Sequence, residues 1–417
     1  MNILIKSAKI LDSKSDFHNT TNDILIEDGW ITKIGTSLKN PDKYEEVHLE
    51  NLHVSQGWFD SSVSFGEPGF EERETIENGI KTAALSGFTS VAVNPNTYPV
   101  VDTSADVAFL KAKAQNKVVS IYPIGALTKG ANGEDLAELF DMKNAGATAF
   151  YDYKSPIANP NLLKIALLYA DNFGGLVCSY PNESKISGKG VMNENFTSTS
   201  LGLKGIPALA EELQIARDIF LLEYTGGKLH IPTVSAARSV ELIRAAKAKK
   251  LDVSCSVAIH NLCFTDESLT DFDTNFKVKP PLRTQADIDA LLEAVKDGTI
   301  DMVTSDHNPL DIELKKVEFD HAEYGTIGLE SAFGVLLKNF TLKKTIDVLT
   351  KGKERFGIPK YPLQIGVKAD ITLFNPNPKY IFTEEHIYSK SLNSMFLGTE
   401  LKGHVYGVIA NNTKVLK

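Results

Sequence analysis

The pattern that most constrains the fold of this chain is a unit of short apolar strand, loop and amphipathic helix that recurs along its middle. The eight predicted strands cover residues 58–60, 89–94, 118–124, 147–152, 175–180, 228–234, 252–258 and 301–306. Helical stretches with apolar residues at steps of three and four follow, including 72–85, 105–114, 208–223, 236–249 and 285–295. Eight such units predict an α/β fold, a (β/α)8 TIM barrel over residues 55–361.

Both ends of the chain have a different texture. In residues 1–54, short apolar runs alternate with turn signals such as Asp28-Gly29. Residues 369–374 and 403–410 repeat this pattern before a turn at Asn411-Asn412. We therefore predict that residues 1–54 and 362–417 pair into one small β-sandwich satellite domain.

Charge and composition exclude several classes of partner. The formal net charge is −9 and no long run of Lys or Arg offsets it, so a nucleic-acid partner is not expected. Lys6 and Lys9 interrupt the segment where a secretory signal would be apolar, and no apolar run approaches ~18 residues. The sequence predicts a cytoplasmic protein with no membrane partner. Its three cysteines lack zinc-ribbon spacing and are interpreted as small buried hydrophobes.

In a (β/α)8 barrel the chemistry lies in the loops that follow the strands. The residues directly after the predicted strands are therefore the candidates for a functional site. They are Ser62, Ser64, Asn96, Asp152, Lys154, Tyr180, Thr233, His260, Asp306 and His307.

Several motifs resemble those of dihydroorotases, members of the cyclic amidohydrolase family, and they cover essentially the whole chain. They are Glu67-Pro68-Gly69, Gly87-Phe88-Thr89, Pro95-Asn96-Thr97, Leu203-Lys204-Gly205, Ala210-Glu211-Glu212, Pro280-Pro281-Leu282-Arg283, Ser305-Asp306-His307 and Gly328-Leu329-Glu330. The resemblance implies an amidohydrolase-type barrel, a homodimer, and interconversion of carbamoyl aspartate and dihydroorotate by a hydroxide bridging one or two zinc ions.

The resemblance also implies four histidine zinc ligands, and this chain has none of them. Ser62 and Ser64 stand where the family has His-x-His, Tyr180 stands at the third position, and Thr233 stands at the fourth. Neutral hydroxyls are poor zinc donors compared with imidazole. No zinc or other cofactor is therefore expected.

Acidic and basic remnants of a metal site remain. Asp306 matches the aspartate that contacts metal and shuttles the proton in the family, so it is predicted to be a vestigial base. Asp152 or Lys154 matches the place of the bridging ligand. In the absence of metal, Asp306 could instead cap the next loop through hydrogen bonds.

Substrate recognition departs from the family in a similar way. Gly66 replaces the arginine that would clamp the substrate carboxylate, and Leu310 replaces a further contact. Asn96 matches a retained carboxylate contact. Lys279 replaces an asparagine and could supply a substitute charge. Asn96 and Lys279 are thus the predicted substrate-binding residues.

The sequence favours a catalytically silent relative that acts in pyrimidine biosynthesis as a structural or regulatory partner of aspartate carbamoyltransferase. One alternative is an active dihydroorotase or other cyclic-amide hydrolase with an unorthodox or metal-poor site. A second is a sensor of a small metabolite. Less favoured are a displaced metal site and a serine nucleophile at Ser62 or Ser64; the former would use His230, His260, His307 and His321.

Overall fold

A computed structural model describes all 417 residues, which form eighteen strands and twelve α-helices. The strands are β1 (Ile3–Ile10), β2 (Thr21–Glu27), β3 (Trp30–Gly35), β4 (Glu45–Val47), β5 (His53–Gln56), β6 (Trp58–Val63), β7 (Phe88–Val93), β8 (Ser120–Gly125), β9 (Ala149–Phe150), β10 (Leu176–Cys178), β11 (Met192–Asn193), β12 (Gly205–Ile206), β13 (Lys228–Ile231), β14 (Val253–Ala258), β15 (Met302–Thr304), β16 (Ile371–Ile381), β17 (Glu400–Ala410) and β18 (Thr413–Leu416).

The helices are α1 (Ile76–Leu85), α2 (Ser104–Lys113), α3 (Leu139–Ala145), α4 (Pro160–Asp171), α5 (Ser184–Ser187), α6 (Phe196–Leu201), α7 (Ala208–Thr225), α8 (Ala237–Ala248), α9 (Gln285–Asp297), α10 (Leu329–Asn339), α11 (Leu342–Thr350) and α12 (Gly352–Arg355). Capping residues in the sequence define where several of these helices begin. Thr103 and Thr284 each form a capping box with the aspartate three residues later, which satisfies amides that the first turn leaves free. None of the helices combines the length and the apolar character needed to cross a membrane.

The barrel predicted from the repeated unit is confirmed. Eight parallel strands lie in the order β6-β7-β8-β9-β10-β13-β14-β15, with the helices in the connections between them. A parallel bridge between Val63 and His307 joins the first strand to the chain just after the eighth, and the Ser64 amide donates to the His307 carbonyl at 2.8 Å. The ring is therefore nearly closed, and the carboxyl ends of its strands meet at one mouth.

Two apolar layers hold the barrel together. A cluster of 70 buried residues lies largely between the strands and the surrounding helices. A separate cluster of 11 buried residues fills the inside of the barrel: Phe59, Ala92, Ile124, Ala149, Tyr151, Leu176, Cys178, Tyr180, Met302, Phe356 and Ile358. Because inward-facing residues alternate along each strand, this interior is a packed core rather than a channel. Two tyrosines therefore belong to the floor of the mouth.

Strands from both termini form the satellite sheet, as the sequence predicts. Its order is β18-β17-β16-β5-β1-β2-β3, with β4 paired beside β1, and it covers a core of 16 buried apolar residues. Strand β16 pairs with β5 across more than 300 positions of sequence. Since β17 also packs against α10 of the barrel, the proposed division at residues 54 and 362 remains a prediction.

Candidate functional site

Asp306 lies at the centre of the barrel mouth, two residues beyond the end of β15, and is 2% exposed. Its Oδ2 accepts a hydrogen bond from the Lys154 ammonium at 2.7 Å, and its Oδ1 accepts from the Ser62 hydroxyl at 3.1 Å. Burial raises the pKa of Asp306, while the Lys154 ammonium and the Ser62 hydroxyl act to lower it. The sequence-predicted residues Asp306, Lys154 and Ser62 are therefore brought into direct contact.

Ser62 and Ser64 share one partner. The Asn94 side-chain amide donates to the Ser62 hydroxyl at 3.1 Å and to the Ser64 hydroxyl at 3.2 Å. Asn94 directly follows the second barrel strand, so this amide ties the first strand to the second just above the barrel core. The Ser62 hydroxyl donates to Asp306, whose other oxygen is paired with Lys154, and neither serine has a histidine beside it to act as the base of a serine-nucleophile mechanism.

Tyrosines occupy the mouth where the fourth and fifth strands end. Tyr151 and Tyr180 are almost fully buried, and burial raises the pKa of each well above that of free tyrosine. The Tyr151 hydroxyl accepts the Lys154 backbone N–H at 3.1 Å. Tyr153 lies against the same lysine, with its ring centroid 5.1 Å from the ammonium nitrogen. Tyr151 therefore holds the Lys154 backbone, and the Tyr153 ring packs against its ammonium.

Asp152 lies apart from this centre. Its carboxylate accepts hydrogen bonds from the backbone N–H groups of Leu127 and Thr128 at 2.8 and 3.0 Å, and from the Thr128 hydroxyl. It therefore anchors the loop after the third barrel strand. Of the two predicted remnants of a bridging ligand, Lys154 and not Asp152 reaches Asp306.

Thr233 follows the sixth barrel strand in a left-handed backbone conformation with φ 54°, unusual for a β-branched residue. Its backbone N–H donates to the Ser256 hydroxyl at 3.2 Å, while its own hydroxyl is buried without a partner. Thr233 makes no hydrogen bond to Asp306, Lys154 or the serines. The side-chain hydrogen bonds that involve Asp306 and the two serines therefore come from residues at the ends of the first, second, fourth and eighth barrel strands.

The predicted substrate contacts lie beside Asp306 without touching it, and one of them, Lys279, donates from its ammonium to the Lys154 carbonyl at 3.5 Å. Asn96 is half-buried, and its side-chain oxygen has no hydrogen-bond partner. The Lys279 ammonium lies 5.5 Å from the Tyr180 ring centroid, and burial together with the Lys154 charge lowers its pKa. Neither residue hydrogen-bonds to Asp306. Their role in binding a ligand remains a prediction.

At two further positions where this chain differs from the family pattern, Gly66 and Leu310, the structure has no room for a larger polar side chain. A Cβ placed on Gly66 would collide with the Phe70 carbonyl oxygen, so this turn accepts no side chain without moving its backbone. Leu310 is 3% exposed and belongs to the packed interior of its loop. An arginine therefore could not replace Gly66 alone and reach the mouth.

The remaining histidines do not assemble a second site. The Nδ1 of His230 lies 2.8 Å from the Ser254 hydroxyl, and the Nδ1 of His307 accepts the Gly328 N–H at 3.2 Å. His260 is fully buried with both ring nitrogens unpartnered, and burial lowers its pKa to about 3. His321 is exposed. No three His, Cys, Asp or Glu side chains are grouped to hold a metal ion.

The donor set at the mouth does not fit zinc. A catalytic zinc takes about three protein ligands, usually with imidazole among them. Here one carboxylate is already paired with an ammonium and accepts a hydrogen bond from one alcohol. Protonated hydroxyls are weak ligands for this cation, and an ammonium beside it would be repelled.

Sequence reasoning missed Asn94, Tyr151 and Tyr153 as parts of this centre. The signal was present, because side chains alternate between the two faces of a strand. If Asp152 faces the neighbouring loop, Tyr151 and Tyr153 on either side of it face the barrel interior.

Comparison with known proteins places these observations in a family context. The family described as Dihydro-orotase-like matches residues 53–239. A dihydroorotase of Pelotomaculum thermopropionicum is 42% identical over 100% of this chain and 99% of its own length. Dihydroorotases of Acetivibrio thermocellus and Geobacter metallireducens are 40% and 39% identical, again over 100% of this chain and over 99% and 100% of their own lengths.

Solved structures with the same fold include the L-hydantoinase (dihydropyrimidinase) of Arthrobacter aurescens, with a TM-score of 0.86 at 22% identity over 100% of this chain and 96% of that one. The dihydropyrimidinase of Brevibacillus agri superposes with a TM-score of 0.84 at 22% identity, over 100% of this chain and 95% of that one. At this identity the likeness shows the shared barrel and β-rich satellite.

Proposed function

The chain belongs to the dihydroorotase family, and from that premise we propose that it serves pyrimidine biosynthesis without hydrolysing a cyclic amide at its own barrel mouth. The observation that carries this proposal is the ion pair between Lys154 and Asp306, 2.7 Å apart and almost fully buried. The pair engages the one carboxylate at the mouth that could serve as a base.

The hydrolytic reaction of the family needs an activated water and a group that polarises the amide carbonyl. Zinc supplies both when it is bound, because it lowers the pKa of its water to about 7 and acts as a Lewis acid. In this chain the Ser62 hydroxyl donates to Asp306 and accepts from Asn94, so its lone pair and its proton are both engaged. No described side chain takes over the two roles together.

The names of the relatives favour a second candidate more than they favour this one: an active dihydroorotase that interconverts carbamoyl aspartate and dihydroorotate. Identity of about 40% over the full length supports it, as does the presence of Asp306 and Asn96. In such an enzyme Asp306 would have to leave Lys154 in order to take a proton from water, and Lys154 or Lys279 would have to polarise the carbonyl.

One assay distinguishes the two candidates. Purified full-length chain is treated with a chelator, dialysed against zinc, and tested for dihydroorotate hydrolysis, alongside Asp306→Asn and the partly exposed control Asp311→Asn. The silent candidate predicts no turnover above the Asp306→Asn background. Turnover by the parent and by Asp311→Asn, abolished in Asp306→Asn, would establish the active candidate instead.

A partnership with aspartate carbamoyltransferase stays a prediction that rests on resemblance. Co-elution of the two proteins at a combined mass supports it, and elution of each at its own mass counts against it. The homodimer also stays a prediction that rests on resemblance, and sedimentation of the isolated chain tests it. Cytoplasmic location also stays a prediction.

The sensor alternative predicts that a small metabolite binds the mouth without turnover. Carbamoyl aspartate or orotate would then raise the melting temperature, because ligands of the folded state stabilise it. Lys279→Met should remove that rise if Lys279 contacts the ligand. An unchanged melting temperature with both compounds would exclude these two ligands.

A further inference from the structure

The barrel mouth contains one buried carboxylate and one buried ammonium in direct contact. We infer that the Lys154 ammonium is a built-in cation that takes the place of a divalent metal at Asp306 and keeps such metals out of the mouth. This inference deepens the proposed function and rests on it. If the Lys154 ammonium occupies the place beside Asp306, the zinc ion that hydrolysis in this family uses cannot bind there.

The backbone delivers the ammonium to that place. Lys154 adopts a left-handed conformation with φ 52°, and its N–H donates to the Tyr151 hydroxyl at 3.1 Å. Asp306 is also left-handed, with φ 50°. Such conformations are strained for residues other than glycine and persist where the surrounding structure holds them. Both partners of the pair are thus turned toward each other by unusual backbone at the ends of the fourth and eighth strands.

Charge balance explains why the ammonium can replace a metal. A buried carboxylate is costly unless a cation or several donors compensate it. At Asp306 the compensation is one ammonium and one hydroxyl, and the side chain of Lys154 is only 9% exposed. A lysine is tethered to the chain, so it competes at a high effective concentration with any free cation.

The surroundings favour a monovalent organic cation over a metal. The Tyr153 ring centroid lies 5.1 Å from the Lys154 ammonium, a position in which the ring face attracts the charge. The nearby Asp152 carboxylate is committed to the backbone of Leu127 and Thr128. A divalent ion would find a single carboxylate there and would lie beside a like charge.

The experiment places histidines at positions 62 and 64 in proteins that keep or lack the Lys154 ammonium. Ser62 and Ser64 both contact the Asn94 amide, so histidines at these positions would lie near each other and near Asp306. Four full-length proteins are compared: the parent, Ser62→His/Ser64→His, that pair with Lys154→Met, and that pair with the exposed control Lys316→Met. Metal-stripped protein is titrated with Co²⁺, and bound metal is measured by its visible absorption and by elemental analysis after dialysis.

We expect no stoichiometric Co²⁺ in the parent and weak binding in the double-histidine protein. Removing Lys154 from the double-histidine protein should tighten binding on the order of a hundredfold or more, because repulsion between an ammonium and a divalent ion a few ångströms apart is relieved. The Lys316→Met combination should resemble the double-histidine protein, since Lys316 is exposed and does not contact Asp306. Equal affinity with and without Lys154, or stoichiometric Co²⁺ in the parent, would overturn the inference.

A second measurement covers the case in which the Lys154→Met combination does not fold, which circular dichroism would reveal. Amine-reactive labelling of the parent should modify Lys154 much more slowly than Lys279, and excess Zn²⁺ should leave the Lys154 rate unchanged. Faster labelling of Lys154 with Zn²⁺ would show that the metal displaces it. Metal-free turnover of dihydroorotate would instead overturn the proposed function while leaving this inference intact.

Discussion

The centre of the barrel mouth and the frame of loops around it differ in what their polar side chains contact. At the centre, hydroxyls and tyrosines stand where the resemblance implies imidazoles, and a lysine pairs with Asp306. In the frame, carboxylates bind backbone amides of neighbouring loops. The difference teaches that the barrel holds these loops by contacts that do not involve the four positions where the resemblance implies histidines.

Glu211 illustrates the frame. Its carboxylate accepts the backbone N–H groups of Ser235 and Ala236 at 2.9 and 3.0 Å, and it faces the Arg283 guanidinium at 3.8 Å. Arg283 in turn donates to the Ile206 carbonyl at 2.7 Å. Two motifs that identify the family therefore act here as a clamp between the sixth-strand loop and the segment before α9.

Glu74 and Glu330 form a second clamp. Glu74 accepts the Lys390 N–H at 3.0 Å, and Glu330 accepts the N–H groups of Tyr388 and Ser389 at 3.2 and 3.0 Å. Together they fasten the segment that precedes β17 to the residues just before α1 and to the start of α10. These carboxylates hold loops and take no part in the contacts of Asp306.

The largest expected effect is in the frame. Glu211→Ala leaves the Arg283 guanidinium buried without its carboxylate and two amides without acceptors, so we expect a loss of about 3–5 kcal/mol in the free energy of unfolding. Urea denaturation measures it. Glu223→Ala on the exposed side of α7 removes only a surface pair and should cost at most about 1 kcal/mol. Equal losses in the two variants would abolish the distinction between frame and surface.

At the centre, Lys154→Met should cost about 3 kcal/mol, because Asp306 then remains buried without a cation. Asp306→Asn added to Lys154→Met should recover much of that loss, since the carboxylate charge is then removed. The coupling energy from the four proteins, measured by urea denaturation, should be about 1–3 kcal/mol. Additive losses would mean that the two side chains stabilise the fold independently.

A buried lysine outside the centre, Lys315, predicts that the free energy of unfolding depends on pH. Burial lowers the pKa of Lys315 to about 7, and its amine donates to the Glu323 and Gly325 carbonyls at 3.0 Å each. Between that pKa and the unfolded value of about 10.4, the unfolded chain binds a proton that the folded chain does not, so this group makes stability rise with pH.

Lys315→Met should therefore reduce the slope of unfolding free energy against pH by roughly 1 kcal/mol per unit between pH 7 and about 8.5. Urea denaturation at several pH values measures the slope. The neighbouring Lys316 is exposed, and Lys316→Met should leave the slope as it is. A slope unaffected by Lys315→Met would mean that the buried amine stays charged throughout this range.

The smallest effect is expected at Thr233. Glycine adopts its φ of 54° without strain, so Thr233→Gly should stabilise the fold by about 0.5–1 kcal/mol and remove a buried hydroxyl that has no partner. Thr413→Gly in β18, where φ is ordinary, should instead lose about that amount. Thermal unfolding compares them, and destabilisation by Thr233→Gly would show that the threonine packs more favourably than its backbone strain costs.

Much of the architecture could be predicted from sequence. The eight barrel strands and the terminal sheet follow from apolar periodicity and turn residues, which are local properties of the chain. The centre could be predicted only as a set of positions. The sequence could not show whether Asp152 or Lys154 reaches Asp306. Asp152 contacts the Thr128 loop and Lys154 contacts Asp306, and no local pattern of residues predicts this difference.

The sequence by itself determined the barrel, the family and the absence of histidines at Ser62, Ser64, Tyr180 and Thr233, since each of these is written in residue type and spacing. Only the tertiary structure decided what replaced them. Lys154 and Asp306 are 152 positions apart and meet because closure of the ring brings the ends of the fourth and eighth strands to one mouth. Left-handed backbone at both residues then aims their side chains at each other, and that geometry is set by the surrounding packing rather than by local sequence.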